Sequence, residues 1–114
     1  TISGGSRVTE ENAEVVFEVP SHPVLQSPNV ITATDFEGWI QERSTYQATA
    51  IDARYEAPLS MHDKNEKSSN GSLITCSYGK GNFAYVSLAL FRQLPAGVSG
   101  AYKLLANLIA LPKR

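Results

Sequence analysis

Residues 72–90 constrain this chain more than any other stretch. SLITCSY and NFAYVSLAL are two runs rich in β-branched and aromatic residues, and Gly79-Lys80-Gly81 stands between them. Two such runs around a short glycine-containing turn specify an antiparallel hairpin. Glycine supplies the positive φ that a tight turn needs, and Lys80 is left in water. The turn is not a phosphate loop. A Walker loop reads GxxxxGK followed by Ser or Thr, and a dinucleotide fingerprint also opens a helix. Here a strand follows the glycines. Beyond Pro95, Gly97 and Gly100 comes AYKLLANLIAL, in which Ala101, Leu104, Leu105, Leu108 and Leu111 share one helical face. That 3.6-residue period predicts a buried helix over 101–111, closed by Pro112-Lys113-Arg114.

The first half is less regular. Residues 1–6 are polar and glycine-rich and read as a frayed lead-in. Val15 to Val19 is β-branched and aromatic and predicts a strand, with Glu10-Glu11-Asn12 as a turn before it and Pro20 and Pro23 ending it. Residues 21–33 read as a loop. Thr32 or Thr34 is placed to cap a short helix over Asp35–Arg43, with acids early and Arg43 late. Phe36, Trp39 and Ile40 would form its apolar face, although Gly38 opposes a helix by about 1 kcal/mol. Tyr46 to Ile51 alternates as a strand does, and Asp63 to Gly71 is a polar, charged loop. Asn70-Gly71-Ser72 matches a glycosylation sequon, which matters only in a eukaryotic secretory setting.

A chain of 114 residues can bury one core without disulfides or metals. With a net charge of −1 and mixed signs, the surface lacks the clustered cations that nucleic acid or an acidic membrane requires. No apolar run approaches the roughly 20 residues that span a bilayer, so no membrane insertion is expected. Cys76 is the single cysteine and excludes an internal disulfide. The chain opens without Met, as a piece from within a longer protein would.

Six residues are candidate ligand contacts: Trp39, Glu42, Arg43, His62, Asp63 and Arg92. Trp39 offers an aromatic platform to a sugar ring, or else anchors a helix in the core. Glu42 and Arg43 can form a charged hydrogen-bonded pair, or else lie in water. His62 and Asp63, with Asp52, could supply oxygen and nitrogen ligands, but the histidine and cysteine spacings of a structural zinc site are missing, and no metal or cofactor is assigned. Cys76, mid-strand, reads as a small buried hydrophobe. No GxSxG elbow is present, and no catalytic residue is assigned. Arg92 follows a strand that should be buried, so it must meet a carboxylate, carbonyls or solvent, and a structural clamp is the expected role.

HPVLQSPNVI (22–31), DFEGWIQERSTY (35–46), YGKGNFAYVSLALFRQLPAGVSGAYKLLANLIAL (78–111) and the spaced Tyr55 and Asp63 together resemble the C-terminal region of bacterial PIG-L (LmbE-type) deacetylase family proteins. The resemblance covers most of residues 20–111, and LALFRQLPAG with DFEGWIQER is its most specific part. Ser44 and Ser99 depart from the Gly and Pro of that pattern, both at loop positions. The resemblance implies the end of a class I glutamine amidotransferase-like, flavodoxin-like domain appended to a zinc-dependent deacetylase domain. It implies that the deacetylase residues lie in that other domain and that no catalytic Cys or His carries over to this chain. It also implies an extracytoplasmic setting.

The expected architecture is α/β or α+β: a small mixed or antiparallel sheet built on the 72–90 hairpin and packed on the C-terminal helix, forming a partial flavodoxin-like domain over residues 7–111. The expected function is that of a non-catalytic accessory domain of an N-acetyl-sugar deacetylase, aiding substrate positioning or assembly. Its partners would be the deacetylase domain of the parent chain and a carbohydrate ligand. The alternatives are a carbohydrate-binding module centred on Trp39, and an amidotransferase-like hydrolase using His62, Asp63 and Glu42.

Overall fold

The computed structural model describes Ile2 and residues 7–111. The lead-in expected over 1–6, Ile2 apart, and the closing Pro112-Lys113-Arg114 lie outside the described residues. The fold is α+β, with two antiparallel two-stranded sheets and a C-terminal helix. Strand β1 (Val15–Phe17) pairs with β2 (Leu59–Met61). Strand β3 (Leu73–Tyr78) pairs with β4 (Gly81–Val86) as the hairpin expected from the sequence. Tyr78 faces Gly81, so the turn is Gly79-Lys80, with Gly79 at φ +58°.

The hairpin sorts its side chains by alternation. Leu73 and Thr75 point inward, and their partners Val86 and Ala84 lie on the same face against the core. Ile74, Cys76, Phe83 and Tyr85 occupy the opposite face. The strand ends at Val86 rather than running to residue 90. Leu88 bridges to Ser44, and a short helix α1 (Leu90–Gln93) then carries Arg92 and Gln93. Helix α2 (Ser99–Ala110) buries Ala101 and Leu104 as expected, together with Asn107. Gly100 lies against the backbone of Asp35, where a Cβ would come within 1.8 Å of the Asp35 carbonyl oxygen. That close approach lets α2 seat on the two 3₁₀ turns, Pro23–Leu25 and Ala33–Phe36.

Two expected elements do not form. The helix expected over Asp35–Arg43 stops as the single turn Ala33–Phe36. Glu37 is extended, Gly38 has φ +78° and Gln41 has φ +64°, none of which a right-handed helix admits. Phe36 and Trp39 are buried against each other, their rings tilted by 35° with centroids 5.2 Å apart, while Ile40 is exposed. The strand expected over Tyr46–Ile51 is broken by positive φ at Tyr46 and Ala50. Ala48 alone of that segment makes a bridge, to Ile2, and its amide bonds the Gly71 carbonyl. No helix of the described residues is long and apolar enough to cross a membrane.

Candidate functional site

The sequence candidates separate into two places. Trp39, Glu42, Arg43 and Arg92 meet where residues 36–43 cross α1. Trp39 is 3% exposed and its indole N–H donates to the Asp35 carbonyl at 2.9 Å, so it cannot serve as a sugar platform. Arg43 is 5% exposed, which corrects its solvated reading. Its Nε donates to the Ala13 carbonyl at 3.1 Å and its Nη1 to the Phe36 carbonyl. The guanidinium also lies over the Phe36 and Trp39 rings at 5.7 and 5.9 Å. Burial pushes the Arg43 pKa down, but carbonyls and ring faces compensate the charge.

Glu42 pairs with Arg92, not with Arg43: Arg92 Nε donates to Glu42 Oε1 at 3.1 Å, and the guanidinium stacks on Phe91 at 4.9 Å. The neighbouring Gln93, fully buried, accepts from the Ile40 amide at 2.8 Å and donates to the Ile40 carbonyl at 2.9 Å. Arg92-Gln93 is therefore a clamp, as expected, but it grips the 40–42 loop.

His62 and Asp63 lie elsewhere. His62 is exposed, with Nδ1 2.8 Å from the Asp63 carbonyl. The Asp63 carboxylate accepts from the amides of Thr9 and Glu10 at 2.8 to 3.0 Å and from the Thr9 hydroxyl. Burial pushes the Asp63 pKa up, and these donors outweigh it and hold the carboxyl below its ordinary value. Asp52, the third member of the imagined ligand set, is paired with Arg54. Among the described residues no group of three or more His, Cys, Asp and Glu could hold a metal ion. Glu42 pairs with Arg92 while Asp63 holds Thr9 and Glu10, so the composite hydrolase site is not assembled as a hydrogen-bonded set.

Sequence reasoning missed His22, which is buried. Its Nδ1 accepts the Val24 amide at 3.1 Å and caps the first 3₁₀ turn. Nε2 stands 2.9 Å from Thr75 Oγ1 and 3.4 Å from Glu56 Oε1. Because Nδ1 accepts, neutral His22 carries its proton on Nε2 and donates toward Thr75 and Glu56. A ring donating to Thr75 cannot also take its proton, so this trio is a structural bridge and not a nucleophile with its base. The signal in the sequence was a His directly before Pro23 at a turn start.

The outward face of the hairpin was also missed. Tyr55 covers it, edge-on to Phe83 with centroids 6.2 Å apart and planes at 79°. A hollow of about 290 Å³ opens there, lined by Ile51, Asp52, Tyr55, Ile74, Phe83 and Tyr85. A second, of about 440 Å³, continues past Tyr55 and Phe83 to Cys76 and Tyr78. Together they make one aromatic trough. Tyr85 is fixed by its hydroxyl, which donates to the Tyr46 carbonyl at 2.6 Å. Tyr55 hydrogen-bonds Cys76, and its pKa is raised, first by burial and then by the thiol. Cys76 is half-buried, not enclosed as expected. Arg54 donates Nε and Nη2 to the two oxygens of Asp52 at 2.9 and 3.2 Å. That side-chain bond, helped by the Arg54 amide, holds the Asp52 carboxyl down at about 2. The alternation of NFAY had marked Phe83 and Tyr85 as one face. Nothing local to Asp52 or Tyr55 showed that residues 50–55 would wall it. The chain matches no protein-family model, no curated protein and no solved structure.

Proposed function

We propose that residues 7–111 are a non-catalytic accessory domain from the C-terminal region of a PIG-L-type N-acetyl-sugar deacetylase, aiding substrate positioning or assembly. One observation carries the reading. The two most specific stretches, DFEGWIQER and LALFRQLPAG, meet at one internal junction. Asp35 accepts the Thr32 amide at 2.8 Å, Arg43 holds the Ala13 and Phe36 carbonyls, and Gln93 holds Ile40. These side chains fasten the chain's own backbone, which supports a scaffolding role for the most specific stretches. The outward side of α2, where Tyr102 and Ile109 are exposed, adds support, since apolar helix faces of this kind are commonly covered by a neighbouring domain. The flavodoxin-like relationship belongs to the same proposal and needs parallel strands from the rest of the parent chain, since the strand pairs of the described residues are antiparallel.

The test is to prepare the parent deacetylase with and without this region and to compare kcat/KM on N-acetyl sugars. The expected result is a loss of kcat/KM on deletion, with the zinc site still loaded. Equal activity and equal solution behaviour of the two forms would reject the accessory role.

A further inference from the structure

We propose that the aromatic trough on the outward face of β3–β4 is a saccharide subsite, in which a pyranose ring lies against Phe83 and Tyr55 with its hydroxyls toward the Asp52 carboxylate. The proposal deepens the substrate-positioning role and rests on that reading for the choice of N-acetylated sugars in the test. The physical case comes from the trough. Pyranoses present a C–H face, which is apolar, and an edge of vicinal hydroxyls, each both donor and acceptor. Phe83 is 50% exposed although it stands on a strand, and Tyr78 next along the same face is 81% exposed. Exposed rings in a concave, mostly apolar hollow with a few placed polar groups are the usual make-up of a small-molecule site.

The rings are held in place before any ligand arrives. Phe83 is fixed by its cross-strand neighbour Cys76 and by the edge of Tyr55, and Tyr85 by its bond to Tyr46. Little ordering entropy is then left for binding to overcome. The polar side of the hollow is Asp52. The Arg54 amide and Nε donate to its Oδ1 and Nη2 to its Oδ2, so Oδ2 keeps a lone pair to accept with. A ring hydroxyl can donate to that oxygen. A phenyl side chain of a peptide would use the rings and bring no donor to Asp52. The low acidity range of Asp52 keeps it an acceptor across the physiological pH range.

The 114-residue chain, ¹⁵N-labelled, is titrated with glucose, N-acetylglucosamine and chitobiose, and the amide shifts are mapped. The expected result is saturable shifts at residues 50–55 and 76–85, and about tenfold weaker binding in Phe83→Ala, the worth of one stacked ring. Phe83 is half exposed, so the variant should keep the wild-type spectrum elsewhere. Asp52→Asn, at a side chain 48% exposed, gives the second readout: a several-fold loss with the stacking shifts retained. No saturable shift with any sugar, shifts that map away from the trough, or an affinity unchanged in Phe83→Ala overturns the proposal. Tighter binding of N-acetyl-tyrosine amide than of every sugar also overturns it, in favour of a peptide site. If sugars fail to bind but deletion still impairs the parent enzyme, only the trough proposal falls. If sugars bind and deletion changes nothing, only the accessory role falls.

Discussion

Arg43 ties distant segments together, because its guanidinium serves the Ala13 and Phe36 carbonyls and the faces of two rings. Arg43→Ala strips donors from the buried Ala13 and Phe36 carbonyls and leaves a void against Trp39. A loss of about 3 kcal/mol is expected in urea unfolding. Arg43→Lys should recover little of it, since an ammonium lacks the planar fork that spans both oxygens. Arg92→Ala, by contrast, breaks a partly exposed ion pair and should cost less than about 1 kcal/mol. A cost for Arg92→Ala as large as that for Arg43→Ala would contradict this ranking. Asp63 links stability to pH. Its carboxyl is held below the ordinary value in the folded chain, so it stabilises the fold above the unfolded-state value, and that contribution fades as pH falls through the lowered one. Asp63→Asn should therefore be most destabilising near neutral pH, and the gap to the parent chain should close in acid. A gap that widens in acid would mean that the Thr9 and Glu10 contacts do not govern Asp63.

At the level of elements, the 36–43 segment shows what the sequence could and could not reveal. The hairpin and α2 were legible because their signals are local: a glycine turn between β-rich runs, and a leucine stripe at helical spacing. The 36–43 segment carries a cap, early acids and an apolar triplet, all of which favour a helix. What defeats it is long-range. Gln93, more than fifty residues away, offers Ile40 an amide that acts as a strand would, and Arg43 turns inward to Ala13 and Phe36. No window of local sequence contains those partners. Similarly, the burial of His22 depends on Thr75, and the wall of the trough depends on residues 50–55 folding over the hairpin. Gly38 separates the two conformations cleanly. In a helix, Gly38→Ala would stabilise by about 1 kcal/mol. At the observed φ of +78°, it should instead destabilise by about 1 kcal/mol or more. Thermal unfolding of the single variant reads the sign directly, and a raised Tm would restore the helix.

Over the whole molecule, two small sheets that share no ladder are made into one body by contacts between distant segments. Val8 bonds Arg43 and Ser44, Ala89 bonds Arg43, Glu18 and Val19 bond Pro58, and Asn107 of α2 binds Val24 and Asn29. A two-stranded sheet is marginal alone, so these ties decide whether the chain unfolds as one unit. Native-state hydrogen exchange should then place the amides of Ile40, Arg43 and Ser44 in the same slow class as those of β3, β4 and α2, although they lie in irregular chain. The amides of residues 50–55 and 64–68, which border solvent, should exchange through local opening. Gln93→Ala should move Ile40 alone into the fast class at a cost of about 2 kcal/mol, since it removes the acceptor of that one amide. If Ile40 and Arg43 already exchange with the loops in the parent chain, the junction is a decoration on the hairpin and α2 rather than part of their cooperative core. The DFEGWIQER and LALFRQLPAG stretches would then act through a surface they present, and not through the backbone they hold.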